Sequence, residues 1–381
     1  MEKNPEFDDI RPYYDDEVAP AIERLLNNLQ FREVIKYLFP PEKIQQAEQL
    51  LRTFTNKRDF QHKLIKNVVF DLLKRTESSA TCAGHENVSH NSANTYISNH
   101  RDIVLDAAIL NTLFAEAGYE TVEIAIGDNL LLAEWIKDLV RMNKSFIVKR
   151  NLPIREMFEA ATHLSKYIHF AIRDKNQSIW IAQREGRAKD SNDRTQESLL
   201  KMLSMGGDKN FLKSLIDLNL TPLTFSYEYD PCDYLKAEEF QKKRDITGFK
   251  KTQYDDLLNM KTGLFGHKGR IHLQIGRPIN PTVMKLNNSL ERNELATKVA
   301  SIIDKEIFLN YKFYPINYIA YDRRWGNDYF REKYTSGDIE KYETYFRQQL
   351  DKINLPDKDI PYLTGKMEEM YAYPVKNFLE I

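Results

Sequence analysis

Cysteine is almost absent: the 381 residues hold two, Cys82 and Cys232, far apart in the chain. That excludes a disulfide framework and a cysteine-based metal centre, and it points to a reducing compartment. No stretch approaches the ~20 apolar residues a helix needs to cross a bilayer. The opening MEKNPEFDDI lacks the apolar core of a secretory leader. Surplus charge is missing too. There are 55 Lys and Arg against 56 Asp and Glu, a net charge of −1, without the basic excess of a general nucleic-acid binder. No internal repeat or low-complexity tract is visible. The expectation is a cytoplasmic protein with no nucleic-acid partner, which works on lipids, if at all, from a membrane surface.

What is present falls into three textures. Residues 1–80 carry apolar side chains at three- and four-residue spacing, as in AIERLLNNLQFREVIKYLF, and read as helices. Ser78 to Ser92 is small and polar and reads as a linker. Across residues 81–310, short β-branched or aromatic runs (ANTYIS, TVEIAI, KSFIVK, QSIWIA, LTPLTFSYEY, GRIHLQIG) alternate with helical segments. That alternation predicts an α/β fold with a largely parallel or mixed sheet flanked by helices. Residues 311–381 read as a C-terminal extension, helical and then irregular and rich in tyrosine.

The chemistry concentrates first in SNHRDIVLDAAIL, Ser98 to Leu110. A kinase catalytic loop is excluded, because Ala107 stands where a metal-binding Asn is needed and no Gly-rich loop precedes it. The segment instead bridges a strand candidate and a helix candidate, the place where α/β sheets carry their sites. His100 there can serve as general base to a substrate hydroxyl, with a carboxylate holding its tautomer. The competing interpretation is an ordinary polar helix start.

Basic residues follow other strand candidates. SFIVKRN ends with Lys149 and Arg150, and IWIAQREGRAKDSNDR brings Arg184, Glu185, Gly186, Arg187, Lys189 and Arg194. Gathered at one sheet edge, such groups form an anion pocket, since guanidinium grips phosphate oxygens in pairs. Gly186 permits a sharp turn beside a ligand.

The order Asn-His-Arg…Asp, then Phe-Ile-x-Lys-Arg, then Glu-Gly-Arg, then an apolar strand opened by Pro222 resembles the glycerolipid acyltransferase superfamily over about residues 93–230. The resemblance implies His100 as base, with an aspartate of the first block as its orienting partner. It implies substrate contacts from Arg101, Lys149, Arg150, Arg184, Glu185, Gly186, Arg187 and Lys189, and Pro222 on the acyl-donor side. It implies a glycerol phosphate or lyso-phospholipid acceptor and an acyl-CoA or acyl carrier protein donor. It implies neither resident cofactor nor metal, and a peripheral position on the inner face of the cytoplasmic membrane.

Two departures stand out. Five residues, not four, separate His100 from Asp106, and an extra helical residue turns a side chain by roughly 100°. Asp106 is the favoured partner, because the small pair Ala107-Ala108 after it permits close approach of another segment, and Asp102 is the alternative. The third block lacks the usual residue pair after Glu-Gly, which leaves open an amino-acid-type lipid acceptor, and the His–Asp spacing leaves open a non-catalytic lipid- or partner-binding role. The segment NLLLAEWIKDLVRMNK, with Trp135 among leucines and cations, is a candidate interfacial helix.

Overall fold

The computed structural model describes residues 3–150, 152–326 and 328–381. An N-terminal layer holds α1 (Val18–Asn27), α2 (Leu29–Leu38), α3 (Pro41–Arg52), the single-turn α4 (Lys57–Asp59) and α5 (Lys66–Arg75). Val18, Ala21, Ile22, Leu25 and Leu26 form the buried stripe of α1. The stripe packs on Leu51, Phe54 and Phe60, each fully buried side chain worth about 1.5–3 kcal/mol. Pro40 holds an extended conformation and Pro41 starts α3, which separates it from α2.

Strands and helices then alternate. The order is β1 (Ser79–Ala83), β2 (Thr95–Ser98), α6 (Leu105–Glu116), β3 (Glu123–Gly127), α7 (Glu134–Met142), β4 (Ser145–Val148) and α8 (Ile154–Arg173). Next come β5 (Ile179–Ala182), α9 (Glu197–Leu203), α10 (Phe211–Ile216), β6 (Leu220–Tyr227), α11 (Asp233–Asp245), α12 (Gln253–Phe265) and β7 (Arg270–Ile275). The chain ends with α13 (Asn280–Val283), α14 (Arg292–Leu309), α15 (Pro315–Tyr321), α16 (Ser336–Asp351) and α17 (Ile360–Leu379).

The strands form one mixed sheet in the order β1-β7-β6-β2-β5-β3-β4. Pairings from β6 to β4 are all parallel, and β7 runs antiparallel to β6. Alternation along the strands feeds two cores. Tyr96, Trp180, Leu223, Phe225 and Tyr227 face α5 and α6, while Ile97, Ile179, Ile181 and Phe146 face α8, α9 and α14. This is the α/β fold with helical ends that the alternation predicts. Because β2 to β6 are mutually parallel, their C-terminal ends share one edge, and every segment singled out for chemistry leaves from it.

Three expectations need correction. The supposed linker contains β1, an edge strand paired only with β7; its sequence SATCA has little β-branched or apolar character, and the backbone ladder alone defines it. The tyrosine-rich tail is helical rather than irregular: Tyr342, Phe346 and Leu350 recur every four residues on α16 and pack against Leu363, Met367 and Tyr371 of α17. Finally, α7 turns its apolar face inward. Trp135 donates its indole N–H to Gln30 at 2.9 Å, and Leu139 packs on the N-terminal core. Among the described residues no helix is long and apolar enough to cross a membrane.

Candidate active site

The central strand β2 stops at Ser98, but its ladder to β6 is continued by a side chain. The Asn99 amide donates to Phe225 O at 2.9 Å and accepts from Phe225 N at 2.8 Å. The backbone is thereby free to turn, and His100 emerges at the sheet edge with 14% of its side chain exposed. Its ring stands edge-on to Trp180 of neighbouring β5, centroids 5.5 Å apart.

The next four residues are loop and turn, and helix begins only at Leu105. The rotation expected from an extra helical residue therefore does not arise, because that residue lies in the loop. Asp106, in the first turn of α6 and fully buried, places Oδ2 at 2.7 Å from His100 Nδ1. The same oxygen accepts from the backbone N–H of Arg101 at 2.6 Å and Asp102 at 3.1 Å, and Oδ1 accepts from the Tyr227 hydroxyl at 2.9 Å. A carboxylate surrounded by donors is an acceptor, so the ring proton sits on Nδ1 and Nε2 keeps its lone pair.

Asp102 does something else. Its Oδ1 accepts from Val104 N at 2.9 Å and Leu105 N at 2.8 Å, satisfying amides at the start of α6. Burial, reinforced by neighbouring Asp106, pushes its carboxyl above the ordinary range. It faces α12 at Gly263, where any Cβ would strike the carboxylate.

The basic residues sort by distance and partner. The loop after β5 lies directly beside the end of β2, since Gln183 N donates to Ser98 O at 2.7 Å. From this loop, Arg187 donates one guanidinium nitrogen to Asn259 at 3.0 Å; its Nη1 and the Nε of Arg184 are buried with no partner among the described residues. Asn259 and Gly263 are one turn apart on α12, about 6 Å, so Arg187 and Asp102 meet the same short stretch of helix. Gly186 adopts a left-handed φ of +67° in the turn between these arginines.

Lys149 and Arg150 leave β4, three strands from β2 and so roughly 14 Å away. Lys149 pairs with Asp9 at 2.5 Å. Arg150 reaches back, pairing with Glu185 at 3.1 Å across the end of β3. Gly127 makes room for it there, since a Cβ would come 2.7 Å from Arg150 Nε. Lys189 pairs with Glu239 of α11, and burial pushes its amine down to about 8 despite that partner. Arg101 turns inward and gives both outer nitrogens to buried Asp193, at 3.1 and 2.5 Å. Pro222 lies within β6 beside Ile97, facing the interior of the sheet rather than its edge.

Asn99 enters the sequence reading only as the first letter of Asn-His-Arg, with no role, and Trp180, Tyr227, Asp193 and Asn259 do not enter it as site residues. Only Tyr227 left a usable signal there: it shares the alternation of Leu223 and Phe225 but ends in a hydroxyl. No group of three His, Cys, Asp or Glu among the described residues is arranged to hold a metal.

An imidazole backed by a buried carboxylate, at the parallel edge of a mixed sheet and beside unpaired guanidinium nitrogens, defines an α/β transferase scaffold. A sequence model of the Acyltransferase family matches residues 79–285, more than half of the chain, and the protein belongs to that family. It is an acyltransferase. The 1-acyl-sn-glycerophosphate (LPA) acyltransferase PlsC from Thermotoga maritima is a similar solved structure, at 12% identity and a TM-score of 0.35, covering 76% of this chain and 94% of that one. No curated protein sequence matches.

Proposed function

We propose that the enzyme moves a fatty acyl group from acyl-CoA or acyl carrier protein to a hydroxyl of a glycerol phosphate or lyso-phospholipid. The observation that carries this is the His100–Asp106 pair at 2.7 Å, with Nε2 left free to take a proton. The acceptor hydroxyl gives its proton to Nε2 as its oxygen attacks the thioester carbonyl. The tetrahedral intermediate then expels the thiolate, which takes the proton back from the imidazolium, leaving ester and free thiol. Asp106 steadies the transient positive charge on the ring. The thioester brings its own leaving group, so no resident cofactor takes part.

The unpartnered nitrogens of Arg184 and Arg187 support a phosphate-bearing acceptor, because a bound anion would satisfy buried donors otherwise costly to leave unmade. Ile154, Met157 and Phe158 are strongly exposed at the start of α8, on the edge where His100 emerges. They support a peripheral position, and we assign the reaction to the inner face of the cytoplasmic membrane.

The test offers labelled acyl-CoA and acyl carrier protein against glycerol phosphate, a lyso-phosphatidate and an amino-acid lipid, using wild type and His100→Ala. Product on a phosphate-bearing acceptor, lost in the variant, is expected. Product on the amine alone, or unchanged turnover by His100→Ala, would sink the proposal.

A further inference from the structure

The Asp106 carboxylate is held unevenly. Oδ2 receives three donors, His100 Nδ1 and two backbone N–H groups, whereas among the described residues Oδ1 receives one, the Tyr227 hydroxyl at 2.9 Å. A carboxylate turns readily about its Cβ–Cγ bond, so the donor on the far oxygen decides which way the plane faces. We propose that Tyr227 is a positioning residue for acyl transfer, presenting Asp106 to His100. The inference rests on the His100–Asp106 reading above.

The fold explains why a residue of β6 reaches this place. Strand β6 spans eight residues and β2 only four, with Ser98 opposite Leu223. Tyr227 thus stands four residues past the last pairing, where β2 has already given way to the loop carrying His100. Alternation puts it on the same face as Leu223 and Phe225, toward α6. Its ring is buried in that core and its hydroxyl meets Asp106 from the side opposite His100.

The phenol remains a donor under working conditions. Burial and the carboxylates of Asp106, Asp102 and Asp230 push it well above its ordinary value. The cations facing this group of acids are Lys236, which pairs directly with Asp230, Arg187, whose charge acts on Asp102 and Asp230, and Lys268, whose amine lies near the same two carboxylates. The Arg101 guanidinium is tied to Asp193.

Removing the hydroxyl strips Oδ1 of its one donor among the described residues. Oδ2 keeps its three donors, but the plane of the carboxylate is less firmly fixed for proton transfer, and its charge, less shared, draws the Nδ1 proton harder. Tyr227→Phe in the full-length enzyme is expected to lower kcat about tenfold, as loss of one charge-assisted hydrogen bond does. KM for donor and acceptor stays within about twofold, because no substrate contact is removed. The acidic limb of the kcat/KM profile moves to higher pH by about half a unit to one unit. A fluorotyrosine installed at position 227, a stronger donor of nearly the same volume, moves that limb the opposite way. In an Asp106→Asn background, Tyr227→Phe adds little further loss.

Controls separate this inference from the one beneath it. If His100→Ala is inactive while Tyr227→Phe retains wild-type kcat with an unmoved limb, the positioning role is wrong and the His100–Asp106 reading stands. Equal losses from Tyr227→Phe in wild-type and Asp106→Asn backgrounds also overturn it. Full transfer by His100→Ala overturns both. Should the phenylalanine variant not fold, the fluorotyrosine enzyme decides: an unmoved limb refutes the role.

Discussion

Two fully buried aspartates invite comparison. Asp106 accepts from His100, two backbone amides and Tyr227. Asp233 accepts from Gln349 at 2.5 Å, its own neighbour Tyr234 N at 2.6 Å, and the hydroxyls of Tyr345 and Tyr371 at 2.7 Å each. Burial and hydrogen bonding are matched, yet the chemistry differs. One donor on Asp106 is an imidazole that stands at the open edge of the sheet, with its second ring nitrogen left for a substrate proton. The phenols on Asp233 are pushed well above their ordinary range, and its partners come from α16 and α17. Asp233 therefore ties the C-terminal helices to the start of α11, whereas Asp106 serves the sheet edge. A well-satisfied buried carboxylate does not by itself mark a reactive centre; a partner able to pass a proton on does.

The comparison breaks most directly by substitution. Asp106→Asn is expected to lower kcat about a thousandfold or more, since the amide cannot hold the Nδ1–H tautomer or balance the imidazolium. Asp233→Asn should leave kcat within about threefold and act on stability instead, because lost network hydrogen bonds cost about 1–3 kcal/mol. Steady-state kinetics beside denaturant melts measure both. Comparable kcat losses from the two variants would erase the distinction.

Their pH responses sharpen it. Burial and nearby Asp230 raise the Asp233 carboxyl to about 7 from 3.8. A carboxyl raised on folding stabilises the protein fully below the unfolded value, and that stabilisation disappears as pH climbs through the folded one. Wild type should lose stability relative to Asp233→Asn between pH 4 and pH 7, on the order of 4 kcal/mol. Urea melts of both proteins across that range give the difference, and a flat difference would count against the assignment.

Among the basic residues the same contrast holds between spent and unspent partners. Arg187 has a buried nitrogen without a partner among the described residues, while Lys149 is already paired with Asp9, three strands from His100. Arg187→Ala should raise acceptor KM about 10- to 100-fold, the cost of one or two charge-assisted hydrogen bonds. Lys149→Ala should change it by less than about threefold, as exposed pairs do. A larger effect at Lys149 would shift the acceptor pocket toward β4.

The strands are legible because short β-branched or aromatic runs mark six of the seven; β1 escapes because its small residues make no such run. His100 was legible from its place between strand and helix. Its partner is legible only as a preference for Asp106 over Asp102, because the spacing reads as helix where Arg101 to Val104 form a loop. Pairings such as Lys149 with Asp9, Arg101 with Asp193 and Lys189 with Glu239 join residues dozens to more than a hundred positions apart. Composition and spacing contain nothing that would reveal them, and they decide which cations remain available.

The smallest expected effect separates the two aspartates that spacing could not. Asp102 satisfies the amides of Val104 and Leu105, a helix-start duty rather than a proton-handling one. Asp102→Asn keeps an oxygen able to accept from both amides, so it should cost only a few tenths to about 1 kcal/mol of stability. Because the position touches the His100 loop, a modest fall in kcat of about threefold is compatible with loosening of that loop. The discriminating measurement is the pH profile: Asp102→Asn leaves the acidic limb of kcat/KM in place. Should it instead abolish turnover with the melt unchanged, Asp102 would be the carboxylate acting with His100, despite the 2.7 Å contact to Asp106.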